Sequence, residues 1–160
     1  MSVTIRPAVA TDSALILQFV RDLAEYEKLL DTVQASEADM ASALFGPRPR
    51  VFADIAEIDG APVGFALWFY SFSTFVGRHG IYLEDLFVRP DARGSGAGKA
   101  LLANLARRCV DENLGRLEWT VLDWNAPSIA FYDSLGAAAM DEWIIRRMTG
   151  EALRKLAGVQ

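Results

Sequence analysis

Between Tyr82 and Lys99 the chain runs from an apolar segment, Tyr-Leu-Glu-Asp-Leu-Phe-Val, through Arg-Pro-Asp-Ala-Arg into Gly-Ser-Gly-Ala-Gly-Lys, and then into a helical pattern. A strand that enters a glycine-dense turn and leaves it as a helix can fold in few ways. Glycines at 94, 96 and 98 let the backbone curl with its N–H groups facing inward, and the positive end of the following helix dipole adds attraction for anions. The spacing therefore predicts a backbone cradle for a phosphorylated ligand, built from the amides of Arg93, Gly94, Ser95, Gly96, Ala97, Gly98 and Lys99. Arg93 and Lys99 are expected to add charge to it.

Two nucleotide motifs fail at this turn. A P-loop needs Gly-x-x-x-x-Gly-Lys-Ser/Thr, but position 93 is Arg and position 100 is Ala, which leaves no hydroxyl for magnesium. A dinucleotide fingerprint needs a third glycine where Lys99 stands, and it belongs to an N-terminal βαβ unit far from this position.

The pattern that does fit is Arg/Gln-x-x-Gly-x-Gly/Ala, here Arg93-Gly-Ser-Gly96-Ala-Gly98. It resembles the acetyl-coenzyme A signature of the GNAT superfamily of N-acetyltransferases. A second block, Asn125-Ala-Pro-Ser-Ile-Ala-Phe-Tyr132-Asp-Ser-Leu-Gly-Ala137, follows one helix and one strand later and resembles the second signature of the same superfamily. Arg6-Pro7-Ala8, Leu23-Ala-Glu-Tyr-Glu27 and Tyr82-Leu-Glu-Asp85 extend the resemblance to the diamine (spermidine/spermine) N-acetyltransferase branch over nearly the whole chain. The chain departs from that branch after Tyr132, where Asp133 and Ser134 stand in place of basic residues. The resemblance implies a GNAT fold of the α/β (α+β) class, with a mixed, mostly antiparallel central sheet flanked by helices on both faces. It also implies acetyl-CoA as co-substrate and a homodimer.

The local patterns read in the same direction. Val3 to Arg6 suits a first strand closed by Pro7, and Thr11 with Asp12 suits the N-cap of a helix ending near Leu30. Ser36-x-x-Asp39 suits a capping box for a shorter helix halted at Gly46-Pro47. The period then changes to two: Val51 to Ile58 and Val63 to Phe72 read as a hairpin across Asp59-Gly60, followed by a strand from Ile81 to Val88. A helix from Gly98 to about Glu112, a strand from Leu117 to Leu122, and a helix capped by Asn125 and stopped at Gly136 come next. A last strand from Trp143 to Met148 and a short helical tail from Glu151 to Leu156 complete the expectation.

With 160 residues, 52% of them hydrophobic and 23% charged, the chain suits a single domain spanning 1–160, and no apolar run approaches the ~20 residues of a membrane span. The opening Met-Ser-Val-Thr-Ile-Arg-Pro lacks the basic lead and apolar core of a secretory signal, and Cys109 is the sole cysteine, so the cytoplasm is the expected compartment. A net charge of −5 argues against nucleic acid as partner and suits a cationic small molecule. His79 is the lone histidine, so neither a histidine metal cluster nor a Ser-His-Asp triad is expected.

Acetyl transfer to an amine sets three chemical demands. An alkylammonium with a pKa near ~10.4 must lose a proton, the tetrahedral intermediate needs preorganised donors, and the thiolate leaves better when protonated. Glu84 is the candidate to receive the amine proton, through water, with Asp85 beside it as an anchor for the cation. Tyr132 is the candidate general acid for the thiolate, a role that the family tyrosine also holds. From the resemblance alone come the backbone of Leu86, Phe87 and Val88 as donors to the thioester and pantetheine arm, and a coenzyme contact for Asn125. Glu27 and Glu142 are further acidic candidates for binding the amine. The favoured substrate is a small primary amine: a diamine, a polyamine or a lysine analogue. A protein amino group, an aminoglycoside-like amine and a non-catalytic acyl-CoA sensor are the alternatives.

Overall fold

The computed structural model describes residues 2–159. They divide into two compact units, one ending at Leu122 and one beginning at Asp123. The first holds β1 (Val3–Pro7), α1 (Ser13–Tyr26), α2 (Glu37–Phe45), β2 (Phe52–Ile58), β3 (Ala61–Ser73), β4 (Arg78–Val88), α3 (Ala97–Asp111) and β5 (Leu117–Glu118). The second holds α4 (Ala126–Ser134) and α5 (Gly150–Leu156).

The sheet follows the order β1-β2-β3-β4-β5. Its first three pairings are antiparallel and the last is parallel, so the sheet is mixed and mostly antiparallel, as expected. Strand alternation divides the side chains between two layers. Ala53, Ile55, Phe65, Leu67 and Phe87 form one core with Ile16 and Phe19 of α1 and Leu44 of α2. Phe19 stacks on Phe65 with ring centroids 5.5 Å apart. The opposite face is covered by α3, whose Leu101 and Leu105 are fully buried.

Three local expectations are corrected. The turn before α1 is organised by Asp12 and not by Thr11: the Asp12 carboxylate accepts the Val9 N–H at 2.8 Å and pairs with the Arg6 guanidinium at 2.7 Å. Arg6 also reaches Glu57 on β2 at 2.6 Å, a partner remote in sequence that no local capping pattern reveals. α1 stops at Tyr26 rather than near Leu30, because Lys28 adopts a left-handed φ of 62° and a short helical turn at Leu30–Thr32 follows. By contrast Ser36 and Asp39 do form the expected capping box.

The third correction concerns strands. β5 covers Leu117–Glu118 only, and no strand is formed over Trp143–Met148, where Trp143 and Ile144 are 74% and 79% exposed. An apolar β-prone run supplies propensity, but a strand exists only where a neighbour accepts its hydrogen bonds.

Gly64 lets β3 and β4 approach closely: a Cβ there would collide with the Phe87 carbonyl oxygen and crowd Val88. Gly64→Ala is expected to lower stability by about 1–3 kcal/mol through overpacking. An unchanged denaturant midpoint would contradict this reading.

Candidate active site

β4 is bonded unequally on its two sides. Toward β3 it is paired from Arg78 to Val88, with Leu86, Phe87 and Val88 opposite Ala66, Phe65 and Gly64. Toward β5 it is paired only at Ile81 and Tyr82. From Leu83 to Val88 that outer edge has no strand partner among the described residues. Peptide groups facing it have room for an outside partner. Phe87 contributes backbone alone, since its ring is buried and sits 6.0 Å from that of Phe19.

Beyond Val88 the chain makes a short turn at Pro90–Ala92 and then enters the glycine segment. Gly94 and Gly96 take positive φ values of 81° and 90°, which L side chains rarely adopt. Gly96 is the N-cap of α3 and carries no side-chain cap. The Ser95 N–H bonds the Ala92 carbonyl at 3.3 Å, and the Ala97 N–H bonds Ser95 Oγ at 3.3 Å. Gly94, Gly96, Gly98 and Lys99 keep backbone N–H groups with no protein acceptor among the described residues. Free amides at the start of a 15-residue helix, with an exposed lysine in its first turn, fit a pyrophosphate group. The Arg93 side chain turns another way: its guanidinium lies 5.0 Å from the Tyr26 ring centroid, and its Nε donates to the Val88 carbonyl at 3.2 Å.

The acidic residues of β4 occupy different environments. Glu84 is exposed, whereas Asp85 is half-buried, opposite Leu67 on β3. Burial first, and then the neighbouring Glu84 and Glu27 carboxylates, push the Asp85 carboxyl up to about 7. Glu27 is itself raised by burial. It joins this group because α1 ends one residue before it. Asp85 can thus take up or release a proton near neutral pH, and two adjacent carboxylates favour a cation beside it.

In the second unit Asn125 is buried and caps α4, its Oδ1 accepting the Ser128 N–H at 3.4 Å, with Pro127 in the first turn as expected. Tyr132 lies on α4 beside Phe131, ring centroids 5.6 Å apart. Glu142 is exposed. Sequence reasoning missed the stacking of Arg93 on Tyr26, which joins residues far apart in the chain. Its only trace was the position of Tyr26 next to Glu27.

Comparison with known proteins bears on the family of the chain. Residues 16–137 match the model described as the acetyltransferase (GNAT) family. The chain is 41% identical to the thialysine N-epsilon-acetyltransferase of Bos taurus, covering 98% of both chains. It is 30% identical to the L-ornithine N5-acetyltransferase NATA1 of Arabidopsis thaliana, over 95% of this chain and 86% of that one. Among solved structures, an integron cassette protein from the mobile metagenome of V. cholerae superposes with a TM-score of 0.80 at 32% identity, over 98% of each chain.

Asp85 sets a sign for the pH dependence of stability. Its pKa rises from 3.8 to about 7 on folding, so between those values the folded chain holds more protons than the unfolded one. Stability contributed by this group is full below pH 4 and declines as pH rises to 7, by on the order of 4 kcal/mol at most. Asp85→Asn is expected to narrow the difference in unfolding free energy between pH 5 and pH 8, measured by denaturant titration. A variant that keeps the parental difference would contradict the assignment.

Proposed function

The chain belongs to the acetyltransferase (GNAT) family, and on that footing we propose that it transfers the acetyl group of acetyl-CoA to the side-chain amine of a small basic amino acid of the lysine or ornithine type. The observation that carries this reading is the half-buried Asp85, flanked by the Glu84 and Glu27 carboxylates, on the strand whose free edge leads into the amide-rich turn. Relatives named for thialysine and ornithine, matched along nearly their whole length, support the choice among amines. The diamines and polyamines share the same terminal ammonium.

In this mechanism the amides from Gly94 to Lys99 hold the pyrophosphate, and those of Leu86 to Val88 face the thioester and pantetheine arm. Glu84 and Glu27 draw in the ammonium, and Asp85 accepts its proton. The neutral nitrogen then attacks the thioester carbonyl carbon: a C–N bond forms, the C–S bond breaks, the departing sulfur takes a proton from the Tyr132 hydroxyl, and the proton that the nitrogen sheds on becoming an amide restores that hydroxyl. Asn125 adds a coenzyme contact to its capping role, and Glu142 adds acidic character around the amine. The assignment moves the proton-accepting role from Glu84 to Asp85, because a carboxyl poised near neutrality serves as base far better than one exposed to water.

Thiol release from acetyl-CoA, measured with thialysine, ornithine, spermidine and an aminoglycoside, tests the substrate. The two amino acids are expected to give the higher kcat/KM, about tenfold or more above the others. Preference for spermidine or the aminoglycoside, or acetyl-CoA binding without amine-dependent thiol, would contradict it. Asp85→Asn and Tyr132→Phe are each expected to lower kcat by about 10²-fold or more, and Asp85→Asn to remove the rise in kcat/KM with pH near 7. Glu84→Gln is expected to raise KM with kcat largely kept. A parental pH profile in Asp85→Asn would remove that residue from the proton transfer.

We also propose a homodimer. Phe72 and Phe75, at the β3–β4 turn, are 55% and 99% exposed, an apolar surface that a second copy would cover. Light scattering at micromolar concentration is expected to return twice the chain mass, and a monomer mass would overturn the proposal.

A further inference from the structure

Every described residue from 138 to 159 is exposed, although the stretch is rich in apolar side chains. Trp143, Ile144, Ile145 and Met148 are 74%, 79%, 66% and 47% exposed, and Leu153 and Leu156 of α5 are exposed as well. Contiguous apolar surface of this kind marks a place where another molecule docks.

Alternation within residues 143–148 narrows the kind of neighbour. In extended form the segment puts Trp143 and Ile145 on one face, with Ile144 and Met148 on the other. Apolar side chains on both faces are the pattern of a strand covered on both sides in a layered α/β structure. A lipid surface would take up one face only. The segment therefore lacks both a ladder partner and a covering layer on each face.

The outer edge of β5 has the matching vacancy. β5 ends the sheet: it pairs with β4 at Ile81 and Tyr82, and its other side has no strand partner among the described residues. The chain continues past Glu118 as Trp119, Thr120, Val121 and Leu122, residues of strand composition that form no strand. The sheet carries α1 and α2 on one face and α3 on the other, so a strand added at this edge joins a layer already flanked by helices. In the single chain both the segment and the edge stay unpaired. A second copy brings the same edge and the same segment again, and the pairings can then be made reciprocally about a two-fold axis.

Charge favours this occupant and fixes the strand direction. Arg146, Arg147, Arg154 and Lys155 stand against the single Glu151 after residue 142, in a chain whose net charge is −5, so this segment is drawn to a second copy of the chain. Laid antiparallel with Trp143 opposite Leu122, the segment sets Ile144 opposite Val121, Ile145 opposite Thr120 and Arg147 opposite Glu118. Laid parallel from Leu117, it would set Arg147 opposite Val121. Cross-strand pairs favour like polarity and unlike charge, which selects the antiparallel register. Glu118 is held by Arg116 at 3.1 Å and still keeps 39% of its side chain exposed, open to a second cation.

We propose that residues 143–148 of each chain add as an antiparallel strand to the outer edge of β5 in a second copy, so that two copies exchange these segments. The inference rests on the homodimer proposed above and gives it a geometry. The turn bearing Phe72 and Phe75 lies beside the same edge, since Val76 packs against Gly115, two residues before β5. The added strand uses the side of β5 away from β4, and the free edge of β4 stays open.

The test is disulfide capture in a Cys109→Ala background, with Thr120→Cys and Ile145→Cys in one variant and Val121→Cys and Ile144→Cys in another. Successive antiparallel pairs alternate between wide and narrow spacing, so one of the two variants has the separation that a disulfide needs. After oxidation at micromolar concentration and denaturation without reductant, that variant is expected to run at twice the chain mass, with no higher multiples. Single-chain mass with the thiols consumed would place the segment on its own β5 and overturn the proposal, and a ladder of higher multiples would overturn it too. Free thiols in both variants also overturn it: a dimer mass by light scattering would then leave the homodimer standing through another surface, a single-chain mass would remove the homodimer as well, and co-sedimentation with phosphatidylserine vesicles would assign the segment to a lipid surface. Ile144 is exposed in the single chain, so Ile144→Asp is expected to keep the parental circular dichroism while raising the dimer dissociation constant about tenfold or more. An unaltered dissociation constant in Ile144→Asp would contradict the exchange.

Discussion

Hydrogen bonding along β4 is one-sided, and the organisation of the site follows from it. β3 pairs with the whole strand, whereas β5 reaches only Ile81 and Tyr82. Backbone groups on the remaining edge need partners from outside the sheet, and water or a ligand can supply them. The same strand carries Asp85 and Glu84 and runs on into the turn where the amides of Gly94, Gly96, Gly98 and Lys99 have no protein acceptor among the described residues. One element thus presents the acidic group, the open edge and the entry to the amide turn in sequence order.

That edge is held in place by its surroundings. Phe87 is locked against Phe19, the α3 layer covers the opposite face through Leu101 and Leu105, and Gly64 permits the close approach of β3. Asp85 is the group that fits this packing least well when ionised. Its carboxyl is desolvated and faces two carboxylates, an arrangement that lowers stability as pH rises toward neutrality. A cationic amine would relieve it. Destabilisation at this residue and affinity for a cation are two consequences of the same electrostatics.

Much of the first unit was legible in the sequence because its signals are local. Alternation marked β2 and β3, the Ser36 and Asp39 pair marked α2, and the glycines at 94 and 96 marked a turn that does take positive φ. What was not legible depends on partners distant in the chain. Lys28 ends α1 without a glycine, asparagine or proline to announce it, and Asp12 is fixed by Arg6, which is itself held by Glu57. Trp143 to Met148 has strand composition but forms no ladder. The contrast between Glu84 and Asp85 was half visible: alternation places adjacent residues on opposite faces, but only the fold shows that Asp85 is the less exposed one.

The proposed acetyl-CoA site lies along the free edge of β4 and on the amides that follow it. Backbone amide NMR of the full chain during titration with acetyl-CoA tests this most directly. The largest shifts are expected at residues 83–88 and 94–99, saturating together. Absence of shifts at these residues, with changes centred elsewhere or none at all, would contradict it.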